Sequence, residues 1–244
     1  MSQDNPPSPQ ELGQRVLDYM RRRKPDDIAE AFMLLKAHKD IDLTLRDETE
    51  KTALMHAIWA NSPDTAALIM QRGADINAKN REGWTPLIQA VLNNAHTVFY
   101  HLLKQEGLDI DATDHDGNTA LMWAIRKAPL PCAKALIKAG ADINAENKEG
   151  VFPLMETIKA DDTDTARLLI EHGCNIYQSY GPQHLSPQMI AGLRGRRDIV
   201  ALIKTEDRRR TEETFRTEAE KGTKQRRVIK RRNTQNKKGP HVHS

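Results

Sequence analysis

The sequence predicts an all-α solenoid, in which short antiparallel helix pairs stack side by side and are joined by tight β-turns. Three observations lead there. A helix-start motif recurs as "TALMHA" at 52, "TPLIQA" at 85, "TALMWA" at 119, "FPLMET" at 152 and "SPQMIA" at 186, in steps of 33, 34, 33 and 34 residues. A second motif keeps the same beat, as "GADIN" at 73, "GLDID" at 107, "GADIN" at 140 and "GCNIY" at 173. Two independent markers on one period are the sequence mark of a repeat architecture. Composition agrees, because aromatics are only 5% of the 244 residues, which suits small-residue helix packing better than a β-rich fold.

Taken in chain order, residues 1–9 read as a polar, disordered tail. In "QELGQRVLDYMRRR", Leu12, Val16, Leu17 and Met20 fall at helical spacing. "PDDIAEAFMLLKAHKDID" aligns with a second helix, so residues 10–40 form an N-terminal capping helix pair, a degenerate unit without the Thr-Pro-Leu start. Residues 41–204 are the repeat array. In it, Thr52, Thr85, Thr119 and Ser186 can cap a helix by accepting a backbone N–H. Pro86, Pro153 and Pro187 take the first helical position, where the missing N–H is harmless. Gly73, Gly140 and Gly173 supply the left-handed stop of the second helix. "NREG", "DHDG" and "NKEG" supply Asn or Asp and Gly for the turns between units. A helix pair this short cannot bury its own apolar face, so each unit must stack on its neighbours. The last unit, with "GLRGRRDIVALIK", carries Gln188 at a core Leu position, as a cap with one solvated face would.

These motifs resemble ankyrin repeats: five motif-bearing units over roughly residues 38–204, with the degenerate first one upstream. The resemblance implies a curved stack of helix pairs with turn tips projecting to one side. Where the family writes Thr-Pro-Leu-His, the His position here reads Met55, Ile88, Met122, Met155 and Met189. That His usually bonds across repeats, which a thioether cannot do. Two readings stand: an adaptable Met-rich binding stripe, or a column of apolar side chains packed between successive helices. Because the site faces the neighbouring repeat in the family, the packing reading is preferred.

The resemblance also implies a non-enzymatic protein–protein interaction scaffold, since family members grip partners through turn tips and the concave side of the first helices. Carried over by position, the partner-binding candidates are Trp59, Trp84, Trp123, Gln89, Asn93, Arg126, Lys127, Glu156, Lys159 and Arg194. All three tryptophans of the chain fall in this set, and Trp and Arg are the side chains most enriched at binding hot spots. The partner is expected to be another protein of unknown identity, bound by a monomer.

Other chemistry finds little support. There is no nucleophile elbow, phosphate loop or metal-binding His pair on a helix, so no enzyme, cofactor or metal is expected. Cys132 and Cys174 lack metal-like spacing and fit reduced thiols in an intracellular, cytoplasmic protein. No run of eighteen apolar residues spans a membrane, and "MSQDNPPSPQ" lacks the pattern of a signal peptide. Residues 205–244 stand apart, with 13 Lys and Arg against 6 Asp and Glu. Their first part pairs arginines with glutamates four residues on, as a solvated helix does. "KGTKQRRVIKRRNTQNKK" then carries nine basic residues and no acid, a composition typical of disordered segments. The alternative function is therefore polyanion or nucleic-acid binding through Arg226, Arg227, Lys230, Arg231 and Arg232, a contact that would be electrostatic and unspecific. In a eukaryote the same block would read as a nuclear address, but the "TALMWA" wording is similar to bacterial ankyrin proteins, for which such an address has no meaning.

Overall fold

The computed structural model describes residues 6–127 and 130–236, with the side chains of residue 130 and residues 222–236 left outside. Twelve helices are described: α1 (Pro9–Arg22), α2 (Pro25–Ala37), α3 (Ala53–Trp59), α4 (Pro63–Gln71), α5 (Pro86–Leu92), α6 (His96–Leu102), α7 (Ala120–Lys127), α8 (Leu130–Lys138), α9 (Pro153–Ala160), α10 (Thr163–Glu171), α11 (Pro187–Leu193) and α12 (Arg197–Asn236). No strand forms among the described residues, only isolated bridges between Thr113 and Thr119 and between Tyr180 and Leu185. The first helices α1, α3, α5, α7, α9 and α11 pack in series, each also against the second helix of its own unit. One continuous apolar cluster runs through the stack, from Val16 to Ile203. This is the solenoid that the period implied.

The local signals work as their chemistry requires. The hydroxyl oxygens of Thr52, Thr85, Thr119 and Ser186 accept from the N–H groups of Met55, Ile88, Met122 and Met189 at 3.4, 3.3, 3.3 and 3.3 Å. Gly73, Gly140 and Gly173 take φ of 80, 91 and 86°, ending the second helices in the left-handed region. Phe152 stands where the fourth motif-bearing unit lacks a capping hydroxyl, and it is buried instead. The first unit proves less degenerate than its sequence implied. Ser8 accepts from the Glu11 N–H at 3.2 Å while the Ser8 N–H donates to Glu11 at 2.7 Å, a complete capping box ahead of Pro9.

Both motifs also hold the units in register. The last residue of the second motif reaches forward: Asn77, Asp111 and Asn144 accept the N–H groups of Asp109, Asp142 and Asn175 at 2.9, 2.8 and 2.7 Å. In the turn tips, Asp47, Asn80, Asp114 and Asn147 each accept two backbone N–H groups, two and four residues on, through one side-chain oxygen. Neighbouring tips are tied by single backbone bonds: Arg81 donates to Thr49 at 3.0 Å, His115 to Glu82 at 3.4 Å and Lys148 to Asp116 at 2.9 Å. The tips therefore sit in a fixed row.

Met55, Ile88, Met122 and Met155 are enclosed between first helices. Met189 corrects the expected column, being 58% exposed. It has the same place in its unit as the others, but among the described residues no further first helix packs on α11. Helix α12 begins as the second helix of the last unit, crosses residue 204 without a break and continues to Asn236.

Candidate partner-binding surface

Two rows of side chains recur on the short first helices, and the turn tips add a third. Four residues after each capping position come His56, Gln89, Trp123, Glu156 and Ile190; seven after come Trp59, Leu92, Arg126, Lys159 and Leu193. The turn tips add Lys51, Trp84, Asn118, Val151 and Leu185. One helical turn separates the first two rows, so they lie on one face.

What occupies the first row depends on the tip residue nine positions before it. Where the tip residue is Asp, one carboxylate oxygen remains for a donor. His56 Nε2 meets Asp47 Oδ2 at 2.9 Å, and the Trp123 indole N–H donates to Asp114 Oδ2 at 2.8 Å. Where the tip residue is Asn, the row turns elsewhere. The Gln89 amide donates to the Met55 carbonyl at 2.8 Å, and Glu156 accepts from Arg126 at 2.7 Å with Lys159 at 3.5 Å. Asn147 itself donates to Asn118 Oδ1 at 2.8 Å.

Two of the sequence candidates are thereby corrected. Gln89 and Glu156 are 4% and 3% exposed and bonded inward, so they position neighbours instead of meeting a partner. Trp123 is half-buried and tethered, with Arg126 5.2 Å above its ring. Trp84 is half-buried against the core, its N–H held by Asn80 at 2.8 Å. Asn93, Lys127 and Arg194 are exposed at the ends of α5, α7 and α11. Lys159 lies 5.9 Å from the Tyr180 ring, so Trp123, Arg126, Glu156, Lys159 and Tyr180 form one continuous cluster across three units.

Trp59 lies apart from that cluster and is 41% exposed. Arg23 stacks 3.7 Å from its ring centroid and Lys51 lies 4.7 Å from it. Arg23 escaped the sequence reading: it ends the capping helix α1, 36 positions away, and no local pattern connects it to Trp59. Of the proposed polyanion contacts, Arg226, Arg227, Lys230, Arg231 and Arg232 have side chains outside those described.

Burial and hydrogen bonding together set the ionisation of this surface. Asp47 would be raised by burial, but the N–H groups of Thr49 and Lys51, the Thr49 hydroxyl and the His56 ring together hold it down at about 2. His56 is shifted down from its ordinary value, chiefly by burial, with Asp47 opposing and Lys51 and Arg21 reinforcing the shift. Its Nδ1 has no partner among the described residues, which agrees with a neutral ring whose Nε2 carries the proton. Arg126 is shifted up, chiefly by its bond to Glu156. Among the described residues, no group of three His, Cys, Asp or Glu could hold a metal ion. Nor is any described helix long and apolar enough to cross a membrane.

Two family models match, one described as ankyrin repeats (3 copies) over residues 67–147 and one as ankyrin repeats (many copies) over residues 34–90. The mitochondrial disaggregases of Homo sapiens and Bos taurus are 41% and 38% identical over 51 and 55 residues. These stretches are 21% and 22% of this chain but only 7% and 8% of the relatives. Among solved structures, an ankyrin repeat domain from Acinetobacter baumannii is 28% identical with a TM-score of 0.70, covering 78% of this chain and 97% of that one. A second ankyrin repeat protein shares the fold at 22% identity and a TM-score of 0.70, covering 79% and 97%. A chain from the complex of a predatory endopeptidase of Bdellovibrio bacteriovorus with an immunity protein shares the fold at 24% identity and a TM-score of 0.64, covering 77% and 96%. Ankyrin repeats generally mediate protein–protein interaction. The paired helices, the capped starts, the row of tips and these matches lead to one family: the chain is an ankyrin repeat protein.

Proposed function

We propose that this protein is a non-enzymatic scaffold that binds another protein through its concave face and turn tips. The observation that carries the reading is the continuous cluster of Trp123, Arg126, Glu156, Lys159 and Tyr180, with Trp59 and Trp84 on preceding units of the same face, set on a row of units whose register is fixed by bonds between neighbours. Aromatic and Arg side chains on a rigid support are the usual centres of binding energy, because little conformational freedom remains to be lost. Asn93, Lys127 and Arg194 rim this face, while Gln89 and Glu156 support it from beneath. The Bdellovibrio neighbour, seen in a complex with a protein, supports protein binding by this kind of array.

Co-purification with the intact chain tests the reading. Replacing Trp84 and Trp123 by Ala should weaken capture of the main protein partner by roughly three orders of magnitude, at about 2 kcal/mol or more for each hot spot. Because Trp123 bonds Asp114, a thermal melt of the same variant must accompany the measurement, and Trp123→Phe keeps the ring while removing that bond. Capture that survives both substitutions in a folded protein would overturn the assignment to this face.

A further inference from the structure

The N-terminal end of the concave face holds an uncommon grouping. Two cations, Arg23 and Lys51, stand against the single exposed ring of Trp59, and neither has a carboxylate partner among the described residues. Their neighbours differ. Arg21 pairs with Glu48, and Arg22 lies 3.7 Å from Asp27. Three of the acids near the face are already engaged: Asp47 by four donor contacts, Asp114 by the tip and Trp123, Glu156 by Arg126 and Lys159. The cations at Trp59 are left over.

Arg23 is also placed against local preference. It ends α1 with φ of 56°, the left-handed position that glycine ordinarily fills without steric penalty. An Arg there gives up that ease and gains a stack on Trp59. A cation over an exposed ring is held only weakly, and a second like charge on the same ring works against it. An incoming anion would relieve that repulsion and gain two charge-assisted bonds beside an apolar plate.

We propose that Arg23, Lys51 and Trp59 form an anchoring site for a carboxylate-bearing, acidic segment of the partner protein, lying at the N-terminal end of the concave face. This rests on the scaffold reading and specifies the chemistry of what the scaffold takes. The charge of the site is opposite to the net charge of the array as a whole, since residues 1–204 carry 24 basic and 28 acidic side chains. Leu92 and Leu193 share the row of Trp59, which gives an extended segment apolar places to set residues that follow its acids. The downward pull of Lys51 and Arg21 on the ionisation of His56 is consistent with a positive field here.

The test uses the full chain and a fluorescein-labelled dodecapeptide of alternating Glu and Tyr, followed by fluorescence anisotropy. The same peptide with Gln for Glu, and a labelled oligodeoxythymidylate, serve as comparisons. Arg23→Gln combined with Lys51→Gln should weaken the Glu peptide by about tenfold or more. Lys104→Gln with Lys138→Gln, an equal charge change on second-helix ends, should weaken it less than about twofold. Trp59→Ala should also weaken it. If Arg23→Gln lowers the melting temperature, Lys51→Gln alone carries the comparison. Equal weakening by the two double variants, equal binding of the Gln peptide, or no binding of the Glu peptide would overturn the site. Binding of the oligodeoxythymidylate with the same sensitivity to Arg23 and Lys51 would instead assign it to nucleic acid. Partner capture that depends on Trp84 and Trp123 but not on Arg23 and Lys51 would remove this site and leave the scaffold intact.

Discussion

At the scale of single residues, the coupling of tip and first row makes acid stability a specific property. Asp47 is held at about 2 and His56 is also lowered, so both bind protons more readily in the unfolded chain. A lowered folded pKa gives stability that is present above the unfolded value and lost as pH falls. The loss should begin below the ordinary His value of 6.5 and continue through the carboxylate range toward about 2. His56→Gln should flatten the dependence of melting temperature on pH between about 7.5 and 5.5, where one His can contribute at most about 1.4 kcal/mol per pH unit. An unchanged slope would mean that His56 titrates normally. The Met row gives a second residue test. Met122→Ala empties an enclosed position and should cost about 2–5 kcal/mol, whereas Met189→Ala, at an exposed one, should cost well under 1 kcal/mol. Equal effects in denaturant unfolding would contradict the open end of the stack.

At the scale of elements, α1 shows how a close approach limits sequence. Gly13 sits where an added Cβ would stand 2.0 Å from the Asp42 carbonyl oxygen, and the Asp42 N–H donates to the Pro9 carbonyl at 3.0 Å. The capping helix and the strap at residue 42 therefore touch through backbone. In a free helix, Ala in place of Gly would help by about 1 kcal/mol. Here Gly13→Ala should instead destabilise by about 1–3 kcal/mol, because the atom met is backbone and cannot rotate aside. The measurement is again equilibrium unfolding, and a stabilised variant would show that α1 shifts freely on the array.

At the scale of the whole molecule, α12 is two things in one element. Up to Arg210 it belongs to the fold: Arg210 bonds Glu206 at 2.6 Å and the Cys174 carbonyl at 3.0 Å, and Tyr177 donates to Asp207 at 2.6 Å. Glu206 is held down at about 2, first by its bond to Arg209 and also by Arg210, with burial opposing. From Thr211 to Lys221 every residue is exposed. At 1.5 Å per residue the helix would run about 60 Å, and among its described side chains those up to Arg210, about a third of that length, rest on neighbours. Brief trypsin treatment should therefore cut first at Arg216 and Lys221, leaving a resistant fragment that ends near Arg210 and keeps its helical circular dichroism. Early cuts inside the repeats, as read by mass spectrometry, would show that the array opens before α12 does.

The period, the capping hydroxyls of Thr52, Thr85, Thr119 and Ser186, and the glycine stops were all legible in the sequence. Each rests on contacts a few residues apart, so the chain order itself records them. The α1 start was hidden although its Ser8 cap is local, because a 14-residue helix shifts it off the beat kept by the seven- and eight-residue first helices. The roles on the first-helix face were less accessible. Tip-to-row pairs such as Asp114 with Trp123 are nine residues apart and appear once the repeats are aligned. Only stacking reveals that Glu156 collects Arg126 from the preceding unit, that Arg23 reaches Trp59, and that Met189 has nothing above it. These depend on which unit lies next to which surface, a relation between distant parts of the chain. The sequence by itself determined the repeated unit, since its signals are local; the tertiary structure decided which of its polar and aromatic side chains remain free to bind, since burial belongs to the stack and not to the unit.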